Sequence, residues 1–137
     1  MPMLQAALLC DSAQDYAGKI SILGGFISVW NVVGFPVIAP VTFVGRVSIT
    51  DNELEQKHEF EISVESPSGA TIFSTKGTVT PPQVVIKEIP ELYMGLNVVL
   101  QLPLTLFEEG LHRVHFRADG DLMSSLPLMA RVVNFSL

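Results

Sequence analysis
The chain has 137 residues, enough for one domain spanning 1–137 and not two. Eight basic residues stand against fourteen acidic ones, a net charge of −6, and the basic residues are scattered; this speaks against nucleic acid, whose phosphates need clustered Lys and Arg. Apolar residues make up 48% and charged ones 16%, so a chain that buries roughly 68% of its extended surface has a core adequate without disulfides or metal.

The first predicted strand covers 3–10 and ends at Cys10, the only cysteine. A single thiol allows no intrachain disulfide, which fits a reducing, cytoplasmic setting. The run Ala6-Ala7-Leu8-Leu9-Cys10 has the outline of a lipoprotein signal. Three features oppose that reading: no basic residue precedes it, the apolar run is short, and the bulky Leu9 sits where cleavage wants a small side chain. A buried cysteine in a first strand is the expectation. Asp11–Ala17 is the one stretch with a helical outline, a turn or two capped by Asp11 and ended by Gly18.

Strands are expected next at 19–23 and 26–33, joined by Gly24-Gly25 as a tight hairpin or bulge. Gly18-Lys19 does not make a phosphate loop: Ala13 stands where the first glycine belongs, Ile20 replaces Ser/Thr, and a strand pattern follows. Trp30 falls on the face of Phe26 and Ser28 and reads as a core or interface anchor. Residues 20–45 carry no charge, long enough to span a bilayer. Gly24, Gly25, Asn31, Gly34, Pro36 and Pro40 interrupt any helix there, so no membrane span is expected and the stretch must be covered by protein.

Further strands are expected at 41–50, 57–65, 70–76, 83–88, 94–102, 110–118 and 128–136, most of them on period-2 alternation. His58, Phe60, Ile62 and Val64 share one face, with Glu59, Glu61, Ser63 and Glu65 on the other. His112, Val114 and Phe116 oppose Arg113, His115 and Arg117; Leu96, Val98, Leu100 and Leu102 oppose Asn97, Val99 and Gln101. Turns fall between the runs at Asp51-Asn52, Pro67-Ser68-Gly69, Pro81-Pro82, Glu109-Gly110 and Asp119-Gly120-Asp121. Glu108–Val114 has the spacing of the D-x-G-x-Y-x-C corner, with His112 in the tyrosine slot. The fold class is therefore all-β: an immunoglobulin-like antiparallel β-sandwich of Greek-key topology with at most one short helix.

The run L-L-C-D-x-A-Q-x-x-x-G-K, the L-G-G and Trp30 after it, and the closing E-E-G-L-H-R-V-H-F-R-A-D-G-D-L with its L-P-L strand resemble a family of uncharacterised bacterial, mainly actinobacterial, proteins. The resemblance covers nearly the whole chain. It implies a small β-sandwich with no assigned activity, and so carries no functional residue across.

No catalytic residue, cofactor or metal site is expected. The three histidines, His58, His112 and His115, lack metal-ligand spacing, and one cysteine makes zinc a poor fit. The acidic loops at 51–55 and 119–121 bring too few oxygens together for Ca²⁺. A Ser–His–acid triad of distant residues stays open, though no G-x-S-x-G elbow is present.

Several strands are apolar on both faces: Leu4, Ala6, Leu8 and Cys10 with Ala7 and Leu9; Phe26, Trp30 and Val32 with Ile27, Val29 and Val33; Val132 with Val133, Phe135 and Leu137. A two-sheet sandwich covers one face of each sheet, so a second polypeptide is expected on the other. The expectation is a non-enzymatic, self-assembling unit or accessory subunit, a homo-oligomer or partner of another protein, with Ile27, Val29, Trp30, Val133, Phe135 and Leu137 at the interface. The alternative is a small-ligand or carbohydrate-binding module using Trp30, Tyr16 or Tyr93, and a third reading is a hydrolase using His112 or His115.

Overall fold
Alternation decides which way each strand faces. The structure, a computed structural model, describes residues 3–17, 19–49, 56–79 and 94–133. Within them run β1 (Met3–Tyr16), β2 (Lys19–Gly25), β3 (Val29–Val32), β4 (Val37–Ile49), β5 (His58–Glu65), β6 (Thr71–Val79), β7 (Met94–Leu106), β8 (Gly110–Ala118) and β9 (Asp121–Val132). They form two packed sheets, β2-β1-β4-β7 and β3-β9-β8-β5-β6, hereafter sheets A and B. The fold is an all-β sandwich. The expected strand at 83–88 lies outside the described residues.

The inward faces are those the period predicts. Phe60, Ile62 and Val64 of β5 and Val114 and Phe116 of β8 are buried, as are Leu96 and Leu102 of β7. The sheets meet on aromatic rings. Phe116 of β8 lies 4.9 Å from Phe43 of β4 and 5.8 Å from Phe60, centroid to centroid, within the range of favourable ring pairs. Leu9, Val41, Val47, Ile49, Leu104, Leu106 and Leu128 complete the core.

Four local expectations are corrected. Asp11–Ala17 is not a helical turn but the second half of β1, which pairs with β2 from Ser12↔Leu23 to Tyr16↔Lys19. A two-residue connection closes that hairpin, with Ala17 at φ 53°, and ladder bonds to β2 outweigh a weak local preference. Asp11 caps nothing; its carboxylate occupies the space where a side chain at Gly24 would stand, and Gly24 has φ 62°. Gly24-Gly25 does not join a hairpin either. β2 and β3 belong to different sheets, and the chain crosses between them through Gly24 and Phe26, both at φ 62°. That turn breaks the alternation: Trp30 packs on the core while Phe26, expected on the same face, is exposed. Finally, the sandwich is not wholly antiparallel, because β3 runs parallel to β9 from Val29↔Met129 to Val32↔Val132.

Prolines sit where their missing N–H costs nothing. Pro40 of β4 faces Pro103 of β7, a pairing that exchanges no ladder bond. Pro103's nitrogen points out from an edge strand, and Pro40 lies beyond the β1–β4 pairing, which ends at Cys10↔Thr42. Strands 4 and 7 thus run through these prolines and are longer than the expected 41–50 and 94–102.

Sheet A hides a second apolar layer. Leu8 and Cys10 point away from the core, level with Val44 and Thr42. Cys10 is 0% and Val44 4% exposed, and Leu8 is half-buried. The outward apolar residues of β1 are thus buried around Cys10, whereas Met3 and Ala6 near its start are exposed.

Candidate functional site
The six expected interface residues divide. Ile27 and Trp30 are half-buried and packed on the core, and the Ile27 N–H donates to Leu9 O at 2.9 Å. Val29 is 47% exposed on β3, an edge strand. Val133 is half-buried, its N–H donating to Val32 O at 2.9 Å. Phe135 and Leu137 lie outside the described residues. The structure thus gathers Val29, Trp30 and Val133 on the β3–β9 pair, with Val29 alone of the three substantially open.

Around that edge stand further apolar residues that were not among the six. Phe26 is 80% and Val33 76% exposed, and Met129 and Val132 of the neighbouring strand are also exposed. Phe26 follows two glycines, and the sheet crossing that swings it outward left no periodic trace. Met129 N–H donates to Ser28 O at 2.8 Å and Val133 N–H to Val32 O. In a parallel ladder such bonds use alternate residues of β3. The backbone groups of Val29, Asn31 and Val33 therefore point away from β9, along the open edge. β3 itself carries no charge, and Arg131, level with Asn31 on β9, donates its Nε to Asn31 Oδ1 at 3.3 Å. The charged residues with which proteins usually blunt such edges are missing here.

The histidines hold three different structural positions. His58 is buried at the start of β5, with Nδ1 2.7 Å from Asp119 Oδ2; Asp119 Oδ1 also accepts the Glu59 N–H at 2.9 Å. The Asp119-Gly120 turn of the β8–β9 hairpin is thereby fastened to β5, and its acidic side chain serves the fold. Among the described residues no cluster of His, Cys, Asp and Glu has the makings of a metal site, and 51–55 lie outside them. His112 is buried in β8; its Nδ1 lies 3.1 Å from Gly110 O, and its Nε2 has no hydrogen-bond partner.

His115 is the one histidine with a triad-like neighbourhood. Ser125 Oγ lies 3.1 Å from Nδ1, and Glu65 Oε2 lies 3.2 Å from Nε2. The three residues come from adjacent strands β9, β8 and β5 on the outer face of sheet B. The arrangement works as a cross-strand polar ladder, continued by Arg117 Nη1 on Ser63 Oγ at 3.3 Å and by Lys76 beside Glu61 at 3.6 Å.

Burial, and secondarily the adjacent Asp11 charge, pushes the Cys10 thiol above its ordinary pKa, which suppresses the reactive thiolate. The Ser68 hydroxyl, with the Ser68 N–H, holds the Glu108 carboxyl below the usual glutamate range. No helix among the described residues is long and apolar enough to cross a membrane.

Among solved structures, the Pseudomonas fluorescens alkylpurine DNA glycosylase AlkC bound to DNA containing an abasic site analog is similar in fold, with a TM-score of 0.53 at 10% sequence identity. The match covers 95% of this chain and 30% of that one, so this chain spans under a third of the glycosylase's length. No curated protein matches it in sequence. A family model does match, over residues 5–131. The chain belongs to that family, DUF6941, a family of unknown function.

Proposed function
We propose that this protein is a non-enzymatic assembly unit that associates with a second copy of itself through the β3 edge. The observation that supports the reading is an open, uncharged edge strand flanked by exposed Phe26, Val29 and Val33. An antiparallel β3–β3′ pairing about Asn31 is self-complementary, as a two-fold interface requires. It satisfies the outward backbone groups of Val29, Asn31 and Val33 and brings Val29 opposite Val33 of the other copy. One short edge strand with a few exposed apolar side chains makes a small interface, so a weak dimer is expected. Nucleic acid is the less favoured partner: the net charge is −6, and on sheet B Lys76 and His115 each already face a glutamate.

Light scattering coupled to size exclusion tests this. The wild type at tens of micromolar should exceed the 14.9 kDa of one chain, and Val29→Lys with Val33→Lys should return it to a monomer. A wild type that stays at one chain's mass across that range would overturn the proposal.

A further inference from the structure
The inner face of β7 is buried at Leu96, Leu102, Leu104 and Leu106 but only half-buried at Val98 and Leu100. The reason lies across the sandwich on β6. Its inward positions there are Thr75 and Gly77, paired with Ile62 and Phe60 of β5. Gly77 has no side chain, and a Cβ built on it meets no atom within 4 Å. The result is a cleft of about 260 Å³ between β6 and β7, reaching down to Phe60 and Ile62. It lies on the far side of the sandwich from the β3 edge, since β6 and β3 end opposite sides of sheet B.

We propose that this cleft is a binding site for a small, neutral, predominantly apolar molecule of monoaromatic or short-alkyl size. An enclosed apolar cavity of roughly 150 Å³ takes up benzene; this cleft has more room and is open to solvent on one side. Its deep walls are Phe60, Ile62, Val98 and Leu100, which gain dispersion contacts from an apolar occupant that water does not supply. Lys76 is the single cation among the described lining residues, and its Nζ already faces Glu61 at 3.6 Å and Glu59 at 3.9 Å. Those partners stand on the outer face of sheet B, so among the described lining residues no positive charge reaches into the cleft to meet a carboxylate, which selects an uncharged head.

The test is a titration with 1-octanol and, separately, octanoate, followed by amide shifts in two-dimensional NMR and by melting temperature. Octanol should give saturable shifts centred on Thr75, Gly77 and Val98 and raise the melting temperature; octanoate should bind at least tenfold more weakly. Gly77→Val should fill the cleft, leave the remaining spectrum folded, and weaken octanol binding at least tenfold. Leu100→Phe fills it from the opposite wall and serves if Gly77→Val does not fold. Absence of saturable shifts in the wild type, octanoate binding as well as octanol, or undiminished octanol binding in a folded cleft-filling variant would each overturn the proposal.

Discussion

Sheets A and B face the same core yet solve the problem of their outer faces in opposite ways. On sheet B the outward residues of β5 and β8 are Glu61, Ser63, Glu65, Arg113, His115 and Arg117, tied across strands by hydrogen bonds and ion pairs. At the middle of sheet A they are Leu8, Cys10, Thr42 and Val44, buried or half-buried, beside a polar cluster in which Arg46 donates to Gln5 and Asn97, and Asn97 to Asp15. A sheet that meets water is written in alternation; a sheet covered on both faces is written in continuous apolar runs. Low charge in this chain therefore has two sources: the buried outward centre of sheet A around Cys10 and Val44, and the one edge of sheet B, β3, that is left apolar and open.

The comparison can be broken at several points, beginning with the ring that joins the sheets. Phe116→Ala removes a fully buried side chain touching Phe43 and Phe60. It should cost about 3–5 kcal/mol in urea unfolding; a loss below about 1 kcal/mol would mean the sheets are held elsewhere. Asp119→Ala strips the carboxylate from buried His58 and from the Glu59 N–H. About 2 kcal/mol should be lost, read by the same unfolding curve, with the β8–β9 turn losing amide-exchange protection first.

A paired substitution sharpens the contrast directly. Val44→Ala on the outward side of β4 should cost about 1.5 kcal/mol, because that side chain is only 4% exposed. Ser63→Ala, outward on β5, should stay within about 0.5 kcal/mol. Equal values would erase the distinction between the two outer faces. The smallest effect is electrostatic. Glu108 is depressed by Ser68, so it adds stability above its unfolded-state pKa, and that contribution is lost as pH falls through the lower folded value. Glu108→Gln should lower the melting temperature slightly at pH 7, by progressively less as pH falls below the ordinary glutamate range, and not at all once Glu108 is protonated in the folded chain.

The legible parts were those whose physics is local. Alternation along His58–Glu65 and Gly110–Ala118 named the inward faces correctly, because a strand side chain's direction depends only on its neighbours. Cys10 read correctly as a buried strand residue. The β3 site was half legible: a charge-free stretch and plain alternation put Val29 and Val33 on one outward face, whereas Phe26 became exposed only through a sheet crossing. The cleft was not legible, since Gly77 matters only because Val98 and Leu100 lie opposite it.

By itself the sequence determined that this is an all-β chain, where most strands run, and which of their faces turn inward; period 2 and turn residues suffice for that. Tertiary structure alone decided that Asp11–Tyr16 is strand, that β2 and β3 part into different sheets, and that β3 runs parallel to β9. Each of those outcomes depends on hydrogen bonds to a partner strand, some of it 100 residues away as Val29 is from Met129, and no local propensity encodes such a partner.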